Sequence, residues 1–516
     1  MLVIISDLHF EEESSRNIYR DTAPDAPPAI YIPRNIPLGA FSKIFTQLRE
    51  QAQRDKAQHI DLVLAGDIFD LNRTALWFQK NDDNVRPYLS NNDIQPGSSV
   101  ETKVLEILAA IDKKDKTVSE KDDQSVHAIL KSIRALAHEG TYLNVNMVEP
   151  TKQSFSRTYE DEAGHMRRVT IPVKIHYIPG NHDRLANATP AIRQKVRELL
   201  GVEADDEAGK SALFPQTLLF PNERVLIRHG HEYDHHNFAA DLRKTNPIPL
   251  KLPQAYYDDP PFGDFVTVDI VSRISEAFRK VYGDEEILSN ELLQQLYKRV
   301  LEFDDLRPLH AILNYLLHIP QTEQTTDNNY DPATLWQKTV RPVIKQLRDD
   351  IYQPNKEHGW LNKLARGHGL DMVVFIVKLA VWLPIWNYVP YGLVQWLSNR
   401  AMKSYKQEES KAVYACREET ILSQQHLFVI AGHTHRPTVE LIGQAAAGEQ
   451  YYVDTGTWRR RIPSTPDLKT FGRIKTLTYA VVYGPDEDLG KVAAGQKLAS
   501  LDHWSGFTKR WPEANS

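Results

Sequence analysis

The chain has 516 residues, 41% of them hydrophobic and 25% charged, with a formal charge of -6. That length exceeds one ordinary core, so several domains or one domain with large insertions are expected. The mild acidity excludes bulk electrostatic attraction to nucleic acid, and a single cysteine, Cys416, excludes an intrachain disulfide and fits a reducing compartment.

The first ten residues, MLVIISDLHF, start an apolar run at once and carry no basic leader region. The run turns polar after about five residues, too short for a secretory signal, so a cytoplasmic chain is expected. A first strand over 2 to 9 is followed by a Pro-rich, irregular stretch at 11 to 40 and a helix over 41 to 54. IDLVLAGDIFD (60 to 70) reads as a second strand, and residues 71 to 150 carry charged helical runs such as LEILAAIDKKDKTVSEKDDQ. Both 11 to 40 and 71 to 150 are read as insertions above the strand ends. VKIHYIPGNHD (173 to 183) reads as a third strand, and a helix over 189 to 200 opens on a Thr cap with Pro at its first position. RVLIRHGHEYD (224 to 234) is the fourth strand.

Residues 237 to 424 read as a helical cap, with runs such as DIVSRISEAFRKVY and NELLQQLYKRVLEF and a polar break, PQTEQTTDNNYDP. Its most apolar segment is 371 to 397, interrupted by Lys378, Pro384, Asn387 and Pro390. A spanning helix wants roughly 20 apolar residues, so three readings stand: buried cap helices, a peripheral element docking on a bilayer or lipid, and a true span. HLFVIAGHTH (426 to 435) is the fifth strand, QYYVDTGTW (450 to 458) and KTLTYAVVYG (475 to 484) complete the sheet, and 491 to 516 is a tail. The expected organisation is an α/β core formed by 1 to 236 and 425 to 490, with the cap between them.

Each of the five strands ends in residues with oxygen or imidazole donors: Asp7 and His9; Asp67 and Asp70; Asn181, His182 and Asp183; His229 and His231; His433 and His435. Strands running alongside one another bring such ends to one crevice. There, carboxylates and imidazoles would repel or stay unsatisfied without a cation. On an extended segment Asp-x-His sends both side chains to one face, because the side-chain period is two. Asp7 and His9 can then grip one ion, and the same geometry lets His433 and His435 approach a common site.

The ordered set SDLH, GDIFD, GNHD, HGH and GHTH resembles the five-block signature of the calcineurin-like metallophosphoesterases, over about 1 to 70, 173 to 236 and 425 to 484. The resemblance implies a four-layer αββα sandwich with a large, mostly helical insertion, and two divalent cations, manganese ahead of iron and zinc. It implies Asp7, His9 and His435 on one ion, Asn181, His229 and His433 on the other, and Asp67 bridging both. His231 is the alternative to His229. The resemblance also implies that His182 is a non-ligand that protonates the leaving group, oriented by Asp183, with Asp70 behind the ligands. A water shared by the two ions becomes a hydroxide near neutral pH and attacks phosphorus.

Guanidinium forks at Arg184, Arg436 and in WRRR (Trp458 to Arg461) suit a second phosphate or a carboxylate, and Arg184 is the candidate for substrate binding. The expected function is hydrolysis of a phosphoester or diphosphate. The apolar, Trp-rich cap suits an amphiphilic or nucleotide-linked substrate. The family includes pyrophosphatases acting on UDP-diacylglucosamine under a helical lid, although those carry Arg where this chain has the His of GNHD. A nuclease or phosphodiesterase acting on nucleic acid or nucleotides is the enzymatic alternative, and would call for a basic track. A non-catalytic scaffold or membrane-docking protein is the alternative of another class.

Overall fold

The computed structural model describes the chain except at residues 21–25, 80–84, 115–122, 146, 205, 308–310, 318–331, 352–409, 467–469, 485–486, 488–499 and 509–516. Strands are numbered in chain order. One sheet contains β1 (Leu2–Ile5), β2 (Ile60–Ala65), β7 (Val173–Ile178), β10 (Leu306–Arg307), β14 (Arg460–Pro463), β15 (Ile474–Tyr483) and β16 (Ser500–Thr508). The other is ordered β12 (Thr438–Ala445), β13 (Gly448–Asp454), β11 (Phe428–Ala431), β9 (Val225–Arg228), β8 (Thr217–Phe220). Two hairpins, β3 (Thr141–Asn144) with β4 (Thr151–Ser154) and β5 (Ser156–Glu160) with β6 (Met166–Thr170), stand outside both sheets.

The five strands expected from the apolar runs are all present. They are short and rich in β-branched residues; β1, β9 and β11 are buried on both faces, as strands covered on two sides must be, β2 is half-buried only at Asp61, and β7 turns Lys174 and His176 outward. β1, β2 and β7 run parallel in the first sheet, and β9 and β11 run parallel in the second. Leu2, Ile4, Val63 and Ile178 from one sheet meet Val225, Ile227, Ile430 and Val453 from the other in one apolar layer. The two sheets therefore pack face to face.

Helices cover the outer face of the first sheet: α1 (Leu38–Arg54), α2 (Ser99–Ile111), α3 (Val126–Glu139) and α4 (Pro190–Leu200). Their buried stripes, such as Phe41, Phe45 and Leu48 on α1, share a core with Val3, Leu62 and Ile175. The Thr189 hydroxyl accepts the Ile192 N–H, Pro190 occupies the first turn, and Gly201 ends α4 at φ +70°, as the sequence expects of this helix.

Two expectations are corrected here. Residues 99 to 111 and 126 to 139 do not stand above the strand ends: Val104, Ile107, Ile129 and Ile133 are buried in the core under the first sheet. β2 and β7 are parallel neighbours, and parallel strands need a helical crossover between them. Residues 500 to 508 are not tail. They form β16, paired antiparallel with β15 from Lys475 to Tyr483, and Trp504 stacks on Tyr479.

Within 237 to 424 the described residues serve two places. Phe238, Leu242, Ile248, Tyr257, Tyr414 and Ile421 cover the outer face of the second sheet against Leu226, Val429 and Tyr452. The helices Arg273–Ser289, broken at Gly283, Glu291–Leu301 and Arg341–Ile351 build a separate apolar cluster that also takes in Ile18, Ile30 and Ile462. Buried ion pairs join the cluster to the core: Arg34 to Glu11 (2.7 Å) and Asp304 (2.8 Å), and Arg459 to Asp305 (2.6 Å). The segment 371 to 397 lies outside the described residues. Among the described residues no helix is long and apolar enough to cross a membrane.

Candidate metal centre

The C-terminal ends of β1, β2, β7, β9 and β11 open into loops that hydrogen-bond to one another. Asp7 N–H donates to Gly66 O (3.0 Å), His9 N–H to Asp67 O (2.8 Å), Leu71 N–H to His182 O (3.3 Å) and Gly432 N–H to His229 O (2.8 Å). The segment after β13 locks the first and last loops together: the Thr457 hydroxyl donates to Asp7 O (2.8 Å) and Thr455 N–H to Ala431 O (2.7 Å). Asp454, at the end of β13, accepts the hydroxyl of Thr434 (2.7 Å), which stands between His433 and His435.

Five site residues sit in left-handed backbone: Asp7 (φ +51°), His9 (+48°), Asp67 (+52°), His433 (+73°) and His435 (+60°). Non-glycine residues are held there, at about 1–3 kcal/mol each, only where the surroundings over-determine them. The expectation that Asp7 and His9 share a face through strand periodicity is therefore corrected. β1 ends at Ile5, and the two side chains converge because the chain turns left-handed at each of them. Two glycines make room for this. A Cβ at Gly180 would strike the Asp67 carboxylate and lie 2.6 Å from its backbone N, and one at Gly432 would strike Asp7 Oδ2 and Ser6.

Three overlapping buried or half-buried triads, Asp7–His9–His435, His9–Asp67–His182 and Asp67–His229–His433, each bring their ligand atoms within 4.8 Å of one another and could hold a metal ion. His229 donates Nδ1–H to Ala65 O (2.9 Å), which turns Nε2 towards Asp67 Oδ2 at 3.2 Å. His9 donates Nδ1–H to Asp70 (3.1 Å), leaving Nε2 at 2.9 Å from His435 Nε2 and 3.7 Å from Asp7 Oδ1. Asn181 Oδ1 lies 3.0 Å from His433 Nδ1, and Asp234 Oδ2 lies 3.1 Å from His433 Nε2. Asp7 Oδ1 and His229 Nε2 are buried without a hydrogen-bond partner despite these neighbours. Imidazole and carboxylate atoms crowded this closely, two of them buried with no hydrogen-bond partner among the described residues, fit a cation and are costly without one.

The electrostatics agree with that crowding. Burial favours neutral Asp67, but His229 and His182 outweigh it and hold the carboxyl well below its usual range. Burial likewise opposes charge on His229, yet Asp67 drives its pKa up to about 10. His435 is held well below its ordinary value by burial and by Arg307, whose Nη2 donates to Nδ1 at 3.1 Å.

A pH dependence follows for chelator-treated protein. The folded pKa of His229 lies above its ordinary 6.5, so its contribution to stability is full below 6.5 and lost as pH rises through about 10. Thermal unfolding should show falling stability across that window, while cation affinity rises because binding must expel the ring proton. A melting temperature that climbs with pH there would contradict this.

Of the two candidates in HGH, His229 meets Asp67. His231 is packed against Phe238 and Tyr257 at ring centroids of 5.5 and 5.9 Å, and burial pulls its pKa down to about 4.

The assignment of Asp183 is corrected. The carboxylate that holds the His182 ring is Asp70, 3.1 Å from Nδ1. Asp183 accepts backbone N–H groups instead, from Ile68 (2.9 Å), Asp67 (3.3 Å) and Phe69 (3.4 Å), and so shapes the loop that carries Asp67. Asp70 grips both the His9 and His182 rings through their Nδ1 atoms.

Arg184 is also corrected. It is buried, and its guanidinium donates to Asp264 (3.1 and 3.2 Å), Asn91 Oδ1 (2.8 Å) and the carbonyls of Pro87 (2.8 Å) and Asp258 (2.6 Å). With its donors so engaged it ties neighbouring loops together and has none to offer a substrate. Arg184→Ala should leave Asp264 buried and unpaired and destabilise the fold by about 3–5 kcal/mol, with cation content unchanged. Denaturant unfolding checks this, and wild-type stability would refute it.

Asp234, Asp454 and Arg307 were not singled out in the sequence. Asp234 closes the fourth apolar run and Asp454 ends the strand before Thr455, the same polar-after-apolar signal that marked the other loops. Arg307 carries no such mark.

Comparison of the chain with family descriptions, with curated proteins and with solved structures gives no match.

Proposed function

We propose that the protein is a calcineurin-like metallophosphoesterase that hydrolyses a phosphoester or diphosphate at a two-cation centre, its facing sheets and outer helices being the αββα sandwich of that family. The observation that carries this reading is the convergence of Asp7, His9, Asp67, His229, His433 and His435 from four strand ends, with Asp7 Oδ1 and His229 Nε2 left unpartnered among the described residues.

Asp7, His9 and His435 would hold one cation, Asn181, His229 and His433 the other, and Asp67, which belongs to two of the triads, would lie between. Mixed oxygen and imidazole ligation suits manganese, iron or zinc, and manganese is the first choice. Bound there, the cations supply Lewis acidity and an activated water. The chain's own part is positional. Asn181 adds a carbonyl without adding charge, so the centre keeps net attraction for an anion. His182 is held through Nδ1 by Asp70, which leaves Nε2 to pass a proton to the departing oxygen. His182 is 9% exposed where His9 is 2% exposed, so it is the more reachable of the two.

The test is a hydrolysis screen of monoesters, diesters, nucleotides and nucleotide lipids with manganese-reconstituted protein. Turnover of at least one class, abolished by chelation and restored by manganese, is expected. No turnover of any phosphoester by protein with cations bound would favour a non-catalytic scaffold.

A further inference from the structure

The arginines around the centre divide into two groups. Arg34, Arg73, Arg459, Arg460 and Arg473 are each answered by a carboxylate: Asp304 (2.8 Å), Asp70 (3.2 Å), Asp305 (2.6 Å), and Glu302 for the last two (3.0 and 2.8 Å). Arg461 is not. Its Nε is buried without an acceptor, and the nearby carboxylate of Asp454 already takes the Thr434 hydroxyl (2.7 Å), the Tyr452 hydroxyl (3.2 Å) and Gly456 N–H (2.8 Å).

Strand geometry sets the direction of this group. β10 pairs with β14 in parallel, Leu306 beside Ile462, and both of these side chains are buried in the helical cluster. Alternation then puts Arg307 and Arg461 on the opposite face together. Arg307 Nη2 reaches His435 Nδ1 at 3.1 Å, so that face looks onto the candidate centre. Arg436 follows His435 directly, with its backbone N–H fixed on the Thr434 hydroxyl (3.2 Å) and its side chain exposed. Burial and the neighbouring Arg436 push the Arg461 pKa down, as expected where like charges are brought together. Guanidinium groups gathered beside a site, one of them with a buried donor unused, suit the fork geometry of a phosphate.

We propose that Arg436 and Arg461 form an anion subsite beside His435 that takes the second, non-scissile phosphoryl group of a diphosphate-type substrate, with Arg307, whose Nη1 donates to the carbonyls of Asp304 (2.7 Å) and Leu306 (2.8 Å), adding positive charge from the wall. The proposal rests on the phosphoesterase reading of the neighbouring centre and narrows its substrate to one carrying two linked phosphoryl groups. The nuclease alternative asks for a track of unpaired basic residues, whereas here five of the surrounding arginines are already matched to acids.

The test is calorimetric titration of inorganic pyrophosphate and of orthophosphate into manganese-reconstituted full-length protein, as wild type, Arg461→Gln and Arg436→Gln. Chelation of manganese by pyrophosphate is common to all three and cancels in the comparison. Wild type is expected to prefer pyrophosphate, and each variant to lose about tenfold in pyrophosphate affinity with orthophosphate affinity unchanged. Arg436 is exposed, so its variant keeps the test meaningful if Arg461→Gln folds poorly. Unchanged pyrophosphate binding in both variants, or equal losses for both anions, would overturn the subsite. Manganese content measured on the same samples bears on the metal centre alone, because the difference between anions is read in whichever cation state is present.

Discussion

Asp67→Ala is expected to lose the cations from both halves of the centre. Asp67 Oδ2 lies 3.2 Å from His229 Nε2 and 3.8 Å from His9 Nε2, two rings that come from different sheets. Its other oxygen accepts the backbone N–H of His182 (2.8 Å), and its own backbone is held by Asp183. Removing residues that merely orient ligands costs 10–100-fold in metal affinity. Removing one shared between two ions should cost more than about 100-fold, with activity falling in step. The alanine also leaves the His182 N–H without its acceptor, so Asp67→Asn is the informative companion: it keeps an oxygen for that donor but removes the charge. Metal analysis of both variants should find them depleted. A full cation complement in Asp67→Ala would contradict the bridging role.

His182→Ala is expected to behave differently, keeping its cations and losing activity by about 100- to 10,000-fold, the range for removing a positioned acid or base. The ring is held by Asp70, which also holds His9. Asp70→Asn should therefore shift the pH profile of kcat as well as lower it, whereas a purely structural role for Asp70 would leave the shape of the profile alone. The triad His9–Asp67–His182 gives a sharp alternative, since its ligand atoms also lie within 4.8 Å of one another. If His182→Ala empties the centre as Asp67→Ala does, His182 is a ligand and not the proton donor.

Much of this candidate site is legible in the sequence, because each candidate ligand follows a short run of mostly apolar residues. Leu2–Ile5, Ile60–Ala65 and Phe428–Ala431 could only be strands, and parallel strands deliver their ends to one edge. Local spacing misled where the backbone left the strand. Asp7 and His9 converge through left-handed turns, which no periodicity describes. Adjacency misled too. Asp183 follows His182 in the chain but serves the loop of Asp67, while the carboxylate that meets the ring comes from another loop. Arg184 is next in line and is engaged by Asp264, Asn91 and the carbonyls of Pro87 and Asp258. Such pairings depend on which loops face each other, a property of tertiary packing. The helices Ser99–Ile111 and Val126–Glu139 are not placed by the sequence because charged residues lie within their apolar runs, and two of these, Glu101 and Lys103, are themselves buried. The strand Ser500–Thr508 was missed because it adds to β15 without an apolar run of its own.

Direct measurement of metal stoichiometry in protein reconstituted with manganese and freed of excess, by elemental analysis or native mass spectrometry, tests the central claim most directly. Two cations per chain in the wild type, with depletion in Asp67→Ala, is the result predicted by one centre built from Asp7, His9, Asp67, Asn181, His229, His433 and His435. A wild-type chain that retains no cation under these conditions would contradict it.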